Sequence, residues 1–139
     1  MQGETDQTRW RGVRPIAGIR GVWPAIDSTR VNKQAIQTGS GNSIVYTVPS
    51  GKILFISGCG LSTSLSSSAG VVAYCATRDD GDTTVDYLMF HQMEIAGQIA
   101  TFQRYSPAIE LLADWDMFVL TNGANIITRA LIFGWLEDA

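Results

Sequence analysis

The chain has 139 residues, of which 45% are hydrophobic and 17% are charged, with 14 glycines and a net charge of −3. This length and apolar content are those of one globular domain, which excludes a wholly disordered chain and a small fold that depends on disulfide or metal crosslinks. Frequent glycines and sparse charges favour short strands joined by turns over long amphipathic helices. The apolar runs are too short for a membrane-spanning helix, so no membrane partner is predicted.

Charge is distributed unevenly along the chain. Residues 1–33 carry six basic and three acidic side chains, a balance of +3, whereas residues 34–139 carry four basic and ten acidic ones, a balance of −6. A basic segment on an acidic body can dock electrostatically on a neighbouring copy or on another acidic partner. Six cations interrupted by acids make a thin footprint for a phosphate backbone, so we predict docking on protein and no nucleic-acid partner.

Residues 1–35 show neither the helical nor the strand period and are punctuated by Gly and Pro, which predicts an extended N-terminal arm. Within the arm, the sequence Arg11-Gly12-Val13-Arg14-Pro15 is repeated nine residues later as Arg20-Gly21-Val22-Trp23-Pro24. Arg and Trp are enriched at interface hot spots, so we predict that the arm lies along a groove on another subunit. The alternative is a disordered leader with a chance repeat. The predicted partner-binding residues are Trp10, Arg11, Arg14, Pro15, Arg20, Trp23 and Pro24.

Residues 36–139 are predicted to form a β-sandwich domain, entered through a polar Gly/Ser joint at residues 34–43. Strands at 44–48 and 53–61 flank Pro49-Ser50-Gly51, which predicts a central antiparallel hairpin. Six more strands are predicted at residues 71–77, 83–93, 98–105, 109–112, 117–121 and 126–136, with a break at Ser106-Pro107. Eight short strands with turn signals between them predict an all-β fold, namely an antiparallel eight-stranded β-sandwich or jelly roll with an extended N-terminal arm.

Two of these strands, 83–93 and 126–136, are apolar on both faces. An antiparallel sandwich normally leaves one face of each sheet polar, so a partner subunit or the N-terminal arm should cover the second face. We therefore predict a homo-oligomer. The predicted oligomer interface residues are Leu88, Phe90, Leu131, Phe133 and Trp135.

No nucleophile–base pair and no set of metal ligands can be assembled from the sequence. His91 is the single histidine and is expected to be structural, because one histidine cannot build a multi-histidine metal site. There is no G-x-S-x-G nucleophile motif and no phosphate-binding glycine loop. We therefore predict a protein that is not an enzyme and has no cofactor.

The aspartates of residues 79–86 and the two cysteines can each be interpreted in two ways. Asp79, Asp80, Asp82 and Asp86 are the best candidates for calcium ligands, but Asp-Gly is also ordinary turn chemistry, and no metal site is assigned. Cys59 and Cys75 fall within predicted strands, and no secretory signal is visible, so free buried thiols are expected. The alternative is a disulfide between adjacent strands.

The segments YTVPSGKILFI, residues 46–56, and LIFGWLE, residues 131–137, resemble small structural proteins of tailed bacteriophages, including head-decoration, head-fibre, collar and tail-associated β-sandwich proteins. The resemblance covers residues 44–61 and 126–137. It implies a non-enzymatic virion protein that forms a homo-oligomer, a trimer or a pentamer, and docks through its arm on phage capsid, portal or tail proteins. It also implies localisation in the virion, and in the host cytoplasm during assembly.

The sequence also allows a second function. The chain could instead be a carbohydrate- or receptor-binding jelly-roll module. In that case Tyr105 and Trp115 would stack on sugars from exposed loops, and the loop of residues 79–86 would hold calcium.

Overall fold

A computed structural model describes residues 20–22 and 24–139. These residues form the strands β1 (Thr29–Thr38), β2 (Gly41–Thr47), β3 (Lys52–Leu65), β4 (Val71–Arg78), β5 (Thr84–Met93), β6 (Gly97–Leu111), β7 (Asp116–Thr121) and β8 (Ile126–Asp138). Within this part of the chain no helix is long and apolar enough to cross a membrane. Five predicted partner-binding residues lie outside the described residues: Trp10, Arg11, Arg14, Pro15 and Trp23.

The eight strands form two antiparallel sheets of four. Sheet I has the order β1-β8-β3-β6, and sheet II has the order β2-β7-β4-β5. Every pairing within the two sheets is antiparallel. The first four strands alternate between the two sheets, and the strand order of both sheets together is the connectivity of a jelly roll. The predicted all-β fold class is confirmed.

The predicted hairpin at the centre of the fold is wrong. Strand β2 pairs with β7 in sheet II, whereas β3 pairs with β6 and β8 in sheet I. Pro49-Ser50-Gly51 therefore carries the chain from one sheet to the other, with Gly51 at a φ of 76°. Residues of this kind reverse the chain direction but do not determine which strands pair.

Two other elements differ from the prediction. Residues 29–35, assigned from the sequence to the arm, and residues 36–38 of the predicted joint form β1, which pairs along β8 from Thr29 to Thr38. The second element is β6, which joins the predicted strands 98–105 and 109–112 into one strand. Ser106-Pro107 lies in a bulge within β6 and does not end it. The agreement between eight predicted and eight observed strands therefore hides one missed strand and one that was split.

The core lies between the two sheets. Along β8, Ile126, Ala130 and Ile132 are buried, while Ile127 and Phe133, one residue on from buried neighbours, face outward. This alternation confirms that β8 is apolar on both faces. Other fully buried side chains of the core include Leu54, Ile56, Leu61, Leu111, Met117 and Val119.

His91 connects the two sheets inside this core. It lies on β5 of sheet II, and its Nδ1 and Nε2 atoms are each 2.8 Å from a threonine hydroxyl of sheet I, on Thr63 and Thr101 respectively. Burial lowers the pKa of His91, because a charged ring would lose its hydration. Both ring nitrogens make hydrogen bonds that join the two sheets, in agreement with the expected structural role.

Candidate interaction surfaces

The N-terminal segment docks on the outer face of sheet I. The guanidinium of Arg20 lies 5.5 Å from the centroid of the Phe55 ring. Its Nε and Nη2 atoms donate hydrogen bonds of 2.9 and 2.5 Å to the two carboxylate oxygens of Glu110 on β6. A bidentate arginine–carboxylate pair fixes orientation as well as charge. Arg20, a predicted partner-binding residue, therefore contacts its own chain.

A bulge in β6 creates the second attachment. The β3–β6 register jumps between Ile56 and Gly58, so that residues 105–108 stand opposite a single residue of β3. The amide of Ala108 is released from the ladder and donates to the carbonyl of Gly21 at 2.6 Å. Gly21 has a φ of 72°, and a Cβ there would lie 3.1 Å from Pro107. Glycine is required at this position because both its backbone angle and its close approach disfavour a side chain.

The third attachment covers two aromatic rings. Phe55 and Trp135 stack with their centroids 5.3 Å apart, and both rings are buried. Glu137 Oε2 accepts hydrogen bonds from the indole of Trp135 at 2.8 Å and from the amide of Ala25 at 2.9 Å. We call this whole arrangement the N-terminal anchor. It consists of Arg20, Gly21 and Ala25 on the segment, and Phe55, Ala108, Glu110, Trp135 and Glu137 on the sheet.

Beyond the anchor, sheet I carries exposed apolar side chains. The rings of Phe102 and Phe133 meet edge to face at 5.9 Å, and the two residues remain 51% and 37% exposed. Beneath them, a Cβ on Gly58 would lie 3.0 Å from the Phe102 ring, and one on Gly60 would lie 3.2 Å from Leu131. Glycine at these two positions lets the larger side chains lie flat on the strand. We call these five residues the glycine-floored patch.

The outer face of sheet II carries a second group of rings. Tyr74 stacks on Phe90 at 5.7 Å and meets Tyr87 and Phe118 edge to face at 5.0 and 6.1 Å. Phe90 is 56% exposed and Tyr87 is 61% exposed. We call these four residues the aromatic cluster of sheet II.

The structure distributes the predicted interface residues over different places. Leu131 and Phe133 belong to the glycine-floored patch, and Phe90 belongs to the aromatic cluster of sheet II. Trp135 is covered by its own N-terminal segment, and Leu88 packs partly buried against the core. Leu88 turns inward because the β4–β5 register shifts between Cys75 and Ala76 and leaves it without a partner across the ladder.

Several residues of these surfaces were missed from the sequence. They are Gly58, Gly60, Tyr74, Tyr87, Phe102 and Phe118. Phe102 lies between Thr101 and Gln103 in the predicted strand 98–105, so the period-2 pattern places it on the face opposite to both of them but does not tell that this face is the outer one. Nothing in the sequence indicates that Phe102 meets Phe133, because their strands flank β3 and do not pair with each other.

The acidic turn between β4 and β5 uses its carboxylates locally. Asp79 Oδ1 accepts hydrogen bonds from the amides of Gly81 and Thr83, both at 2.9 Å. Asp82 pairs with Arg78 at 3.4 Å. Among the described residues, no group of three or more potential ligands is arranged to hold a metal ion. This geometry is that of an Asx turn.

The two aromatic residues considered for sugar binding are packed against the core. Tyr105 and Trp115 are both partly buried there, and the Tyr105 hydroxyl donates to the carbonyl of Leu88 at 3.4 Å. Burial raises the pKa of the Tyr105 hydroxyl. An open cavity of about 410 Å³ at the far end of sheet I is lined by hydroxyl, small and aliphatic groups and the carboxamide of Asn125, without an aromatic ring on which a sugar could stack.

Comparison with known proteins gives a distant structural likeness. No protein-family model matches the chain, and no curated protein matches it in sequence. A chain from the acidic stable capsid structure of Helicobacter pylori bacteriophage KHP30 is similar over 81% of this chain and 98% of that one, at 10% identity and a TM-score of 0.49. A pentameric capsid protein isolated from metagenomic phage sequences is similar over 86% of this chain and 65% of that one, at 14% identity and a TM-score of 0.40.

A third similar structure has a different biological context. It comes from Bacillus endospore appendages, described as disulfide-linked pili, and the similarity covers 81% of this chain and 90% of that one at 11% identity and a TM-score of 0.41. All three TM-scores are low. The jelly-roll assignment therefore rests on the strand order and register of this chain.

Proposed function

We propose that the protein is a non-enzymatic virion structural subunit that assembles as a homo-oligomer through sheet I and attaches to the particle through its N-terminal arm. The observation that carries this proposal is the glycine-floored patch. Phe102 and Phe133 form a contiguous apolar surface that the described part of the N-terminal segment, anchored on the same sheet, leaves exposed. Apolar surfaces of this kind on a folded domain mark interaction sites.

The patch has the properties of a contact between subunits. Its centre holds two aromatic rings and Leu131, which are side chains that supply large apolar area on burial. Gly58 and Gly60 let Phe102 and Leu131 lie flat on the strand, so that an opposing surface meets a low apolar face. Arg104 lies at the edge, with its guanidinium 5.7 Å from the centroid of the Phe102 ring. An apolar centre with a charged rim is the usual composition of a specific interface.

The anchor supports the role proposed for the arm. It fixes Arg20 beside Glu110 on β6, which is an edge strand of sheet I. Arg20 therefore lies at the rim of the domain, and an extended chain of the 19 residues before it in the sequence would reach roughly 60 Å. This reach is sufficient to contact a neighbouring subunit or a capsid, portal or tail protein. A virion location, with host cytoplasm as the place of assembly, follows from this proposed role.

Oligomerisation can be tested with surface variants. Light scattering on the full chain is expected to give a closed oligomer, a trimer or a pentamer, and a Phe102→Ser/Phe133→Ser variant is expected to be a folded monomer. The matched control is Tyr87→Ser/Phe90→Ser, which removes two exposed rings from sheet II and should leave the oligomer intact. A wild-type chain that stays monomeric at high concentration would rule out the proposed assembly. An oligomer lost only in the sheet II variant would place the interface on the other sheet.

The role of the arm is tested separately in particles. A chain lacking residues 1–19 is expected to fold and oligomerise but to be absent from purified virions. Equal occupancy of the shortened and full chains, measured by quantitative mass spectrometry, would contradict the arm's attachment role.

A further inference from the structure

The two cysteines face each other across the interior of the sandwich. Cys59 lies on β3 of sheet I and Cys75 on β4 of sheet II, with their Sγ atoms 3.3 Å apart. Both are free thiols and both are fully buried. The sequence left open a disulfide between adjacent strands, but the two strands belong to different sheets. A bond between them would therefore join the two layers of the fold.

The geometry brings the thiols close to bonding distance. A disulfide has an S–S distance of about 2.05 Å, so the sulfurs need to approach each other by only about 1.2 Å. Each cysteine is held in the middle of its sheet, Cys59 beside Ile132 of β8 and Cys75 beside Val119 of β7. Both belong to the main core and are surrounded by its buried apolar side chains.

We propose that Cys59 and Cys75 are a redox pair that a small disulfide oxidant, such as oxidised glutathione, converts into an inter-sheet disulfide. One cysteine loses its proton and attacks a sulfur of oxidised glutathione, which forms a mixed disulfide and releases one glutathione. The second cysteine then loses its proton and attacks the protein sulfur of the mixed disulfide, which releases the second glutathione. Two thiols are oxidised by two electrons, and one oxidised glutathione is reduced to two glutathione molecules.

The rate of this reaction depends on opening of the sandwich. Its hydrogen bond with Cys75, together with burial, raises the pKa of the Cys59 thiol, so little thiolate is present in the closed state. The thiolate is the reactive form, and glutathione cannot enter a closed core. Reaction therefore proceeds through local or global opening and should be faster at denaturant concentrations just below the unfolding transition. The pair does not use the outer surfaces on which the proposed function depends.

The test uses the full chain, reduced and then incubated with excess oxidised glutathione at such a denaturant concentration. After acid quenching, removal of the oxidant, and alkylation in denaturant, the expected product carries no alkyl group and is two hydrogen atoms lighter than the reduced chain. Digestion should yield a linked peptide containing residues 59 and 75. The midpoint of thermal unfolding should rise by roughly 5–10 °C, because the crosslink restricts the unfolded chain.

A Cys75→Ala variant is the matched control, because it keeps Cys59 but cannot form the bond and should show no rise in midpoint. Two outcomes would overturn the inference. The first is a wild-type product with both cysteines alkylated or carrying glutathione. The second is an intramolecular disulfide that lowers the unfolding midpoint, which would show that the closed fold does not accommodate the bond.

Discussion

Three residues from the two sheets meet at one polar contact, in which His91 and Thr63 are buried. His91 of sheet II lies between the hydroxyls of Thr63 and Thr101, which belong to neighbouring strands of sheet I. Buried polar groups stabilise a fold only when they are paired, because an unpaired group loses its hydrogen bonds to water and gains none within the protein. A neutral imidazole can satisfy this arrangement, since one ring nitrogen donates and the other accepts. A protonated ring would carry a charge on a side chain that is only 3% exposed to water.

The stability of the protein should therefore depend on the protonation of His91. Burial lowers the pKa of His91 below the value of about 6.5 that it has in the unfolded chain. The unfolded state then binds the proton more readily, so this contribution to stability is full above about pH 6.5 and is lost as the pH falls toward the folded pKa. Urea denaturation of the wild type at a series of pH values should show this loss.

A His91→Gln variant separates this effect from other titrations. Glutamine can keep part of the hydrogen bonding but does not titrate, so it should cost roughly 1–2 kcal/mol at neutral pH and show a shallower fall below pH 6.5. Parallel pH dependence in the two proteins would mean that His91 is not the titrating group.

At the scale of the strands, a bulge explains an otherwise unremarkable glycine. The β3–β8 register shifts at Ser57, and Gly134 of β8 lies opposite Ile56 beside this irregularity. A Cβ built on Gly134 would lie 1.9 Å from the carbonyl oxygen of Phe55. Backbone atoms of a central strand cannot move aside as a flexible side chain can.

Gly134→Ala should therefore destabilise the protein by roughly 3 kcal/mol or more, or prevent folding, because the added methyl would separate β3 from β8. Gly60→Ala is the control. Its Cβ meets only side chains, those of Leu131 at 3.2 Å and of Phe102 at 3.4 Å, and should cost about 1 kcal/mol. Equal unfolding midpoints for the two variants in a thermal melt would contradict the importance of the bulge.

The strands themselves could be predicted better than their partners. Strands β4, β5, β7 and β8 follow from alternation and turn residues, and their bounds agree within two residues with the structure. Strand β1 was missed because it is an edge strand in which only Val31 is buried. Which strands pair depends on contacts distant in sequence, so Pro49-Ser50-Gly51 could be recognised as a turn but not as a crossing between sheets.

The surfaces were harder to predict than the strands. The apolar outer face of β8 was recognised from its alternation, and it contributes Leu131 and Phe133 to the glycine-floored patch. The inward turn of Leu88 depends on a register shift, and the cover over Trp135 depends on where the N-terminal segment folds. Neither is determined by the period of the strand on which the residue lies.

At the scale of the whole molecule, the described part of the N-terminal segment belongs to the folded domain. Residues from Arg20 to β1 complete the fold, since they cover Phe55 and Trp135 on the outer face of sheet I. A cut at the predicted domain boundary, after residue 35, would also remove residues 29–35 of β1. The functional arm should therefore be sought in the residues that precede the anchor.

Two truncations test this division. Deletion of residues 1–19 should leave the free energy of unfolding within about 0.5 kcal/mol of the full chain. Deletion of residues 1–28 should cost roughly 2 kcal/mol or more, because it exposes two large aromatic rings. Exposure of Trp135 should also shift its fluorescence emission to longer wavelength. If the two truncated proteins unfold at the same urea concentration, the anchor does not contribute to stability.

The apolar character of the glycine-floored patch has a consequence for the conditions under which subunits would separate. A contact through Phe102 and Phe133 is held by exclusion of water, whereas the Arg20–Glu110 pair is exposed and subject to ionic screening. Assemblies joined by the patch should therefore survive strong brine and loosen on chilling, because apolar burial loses strength in the cold. Particles built in this way would be better preserved in warm, salty media than on ice.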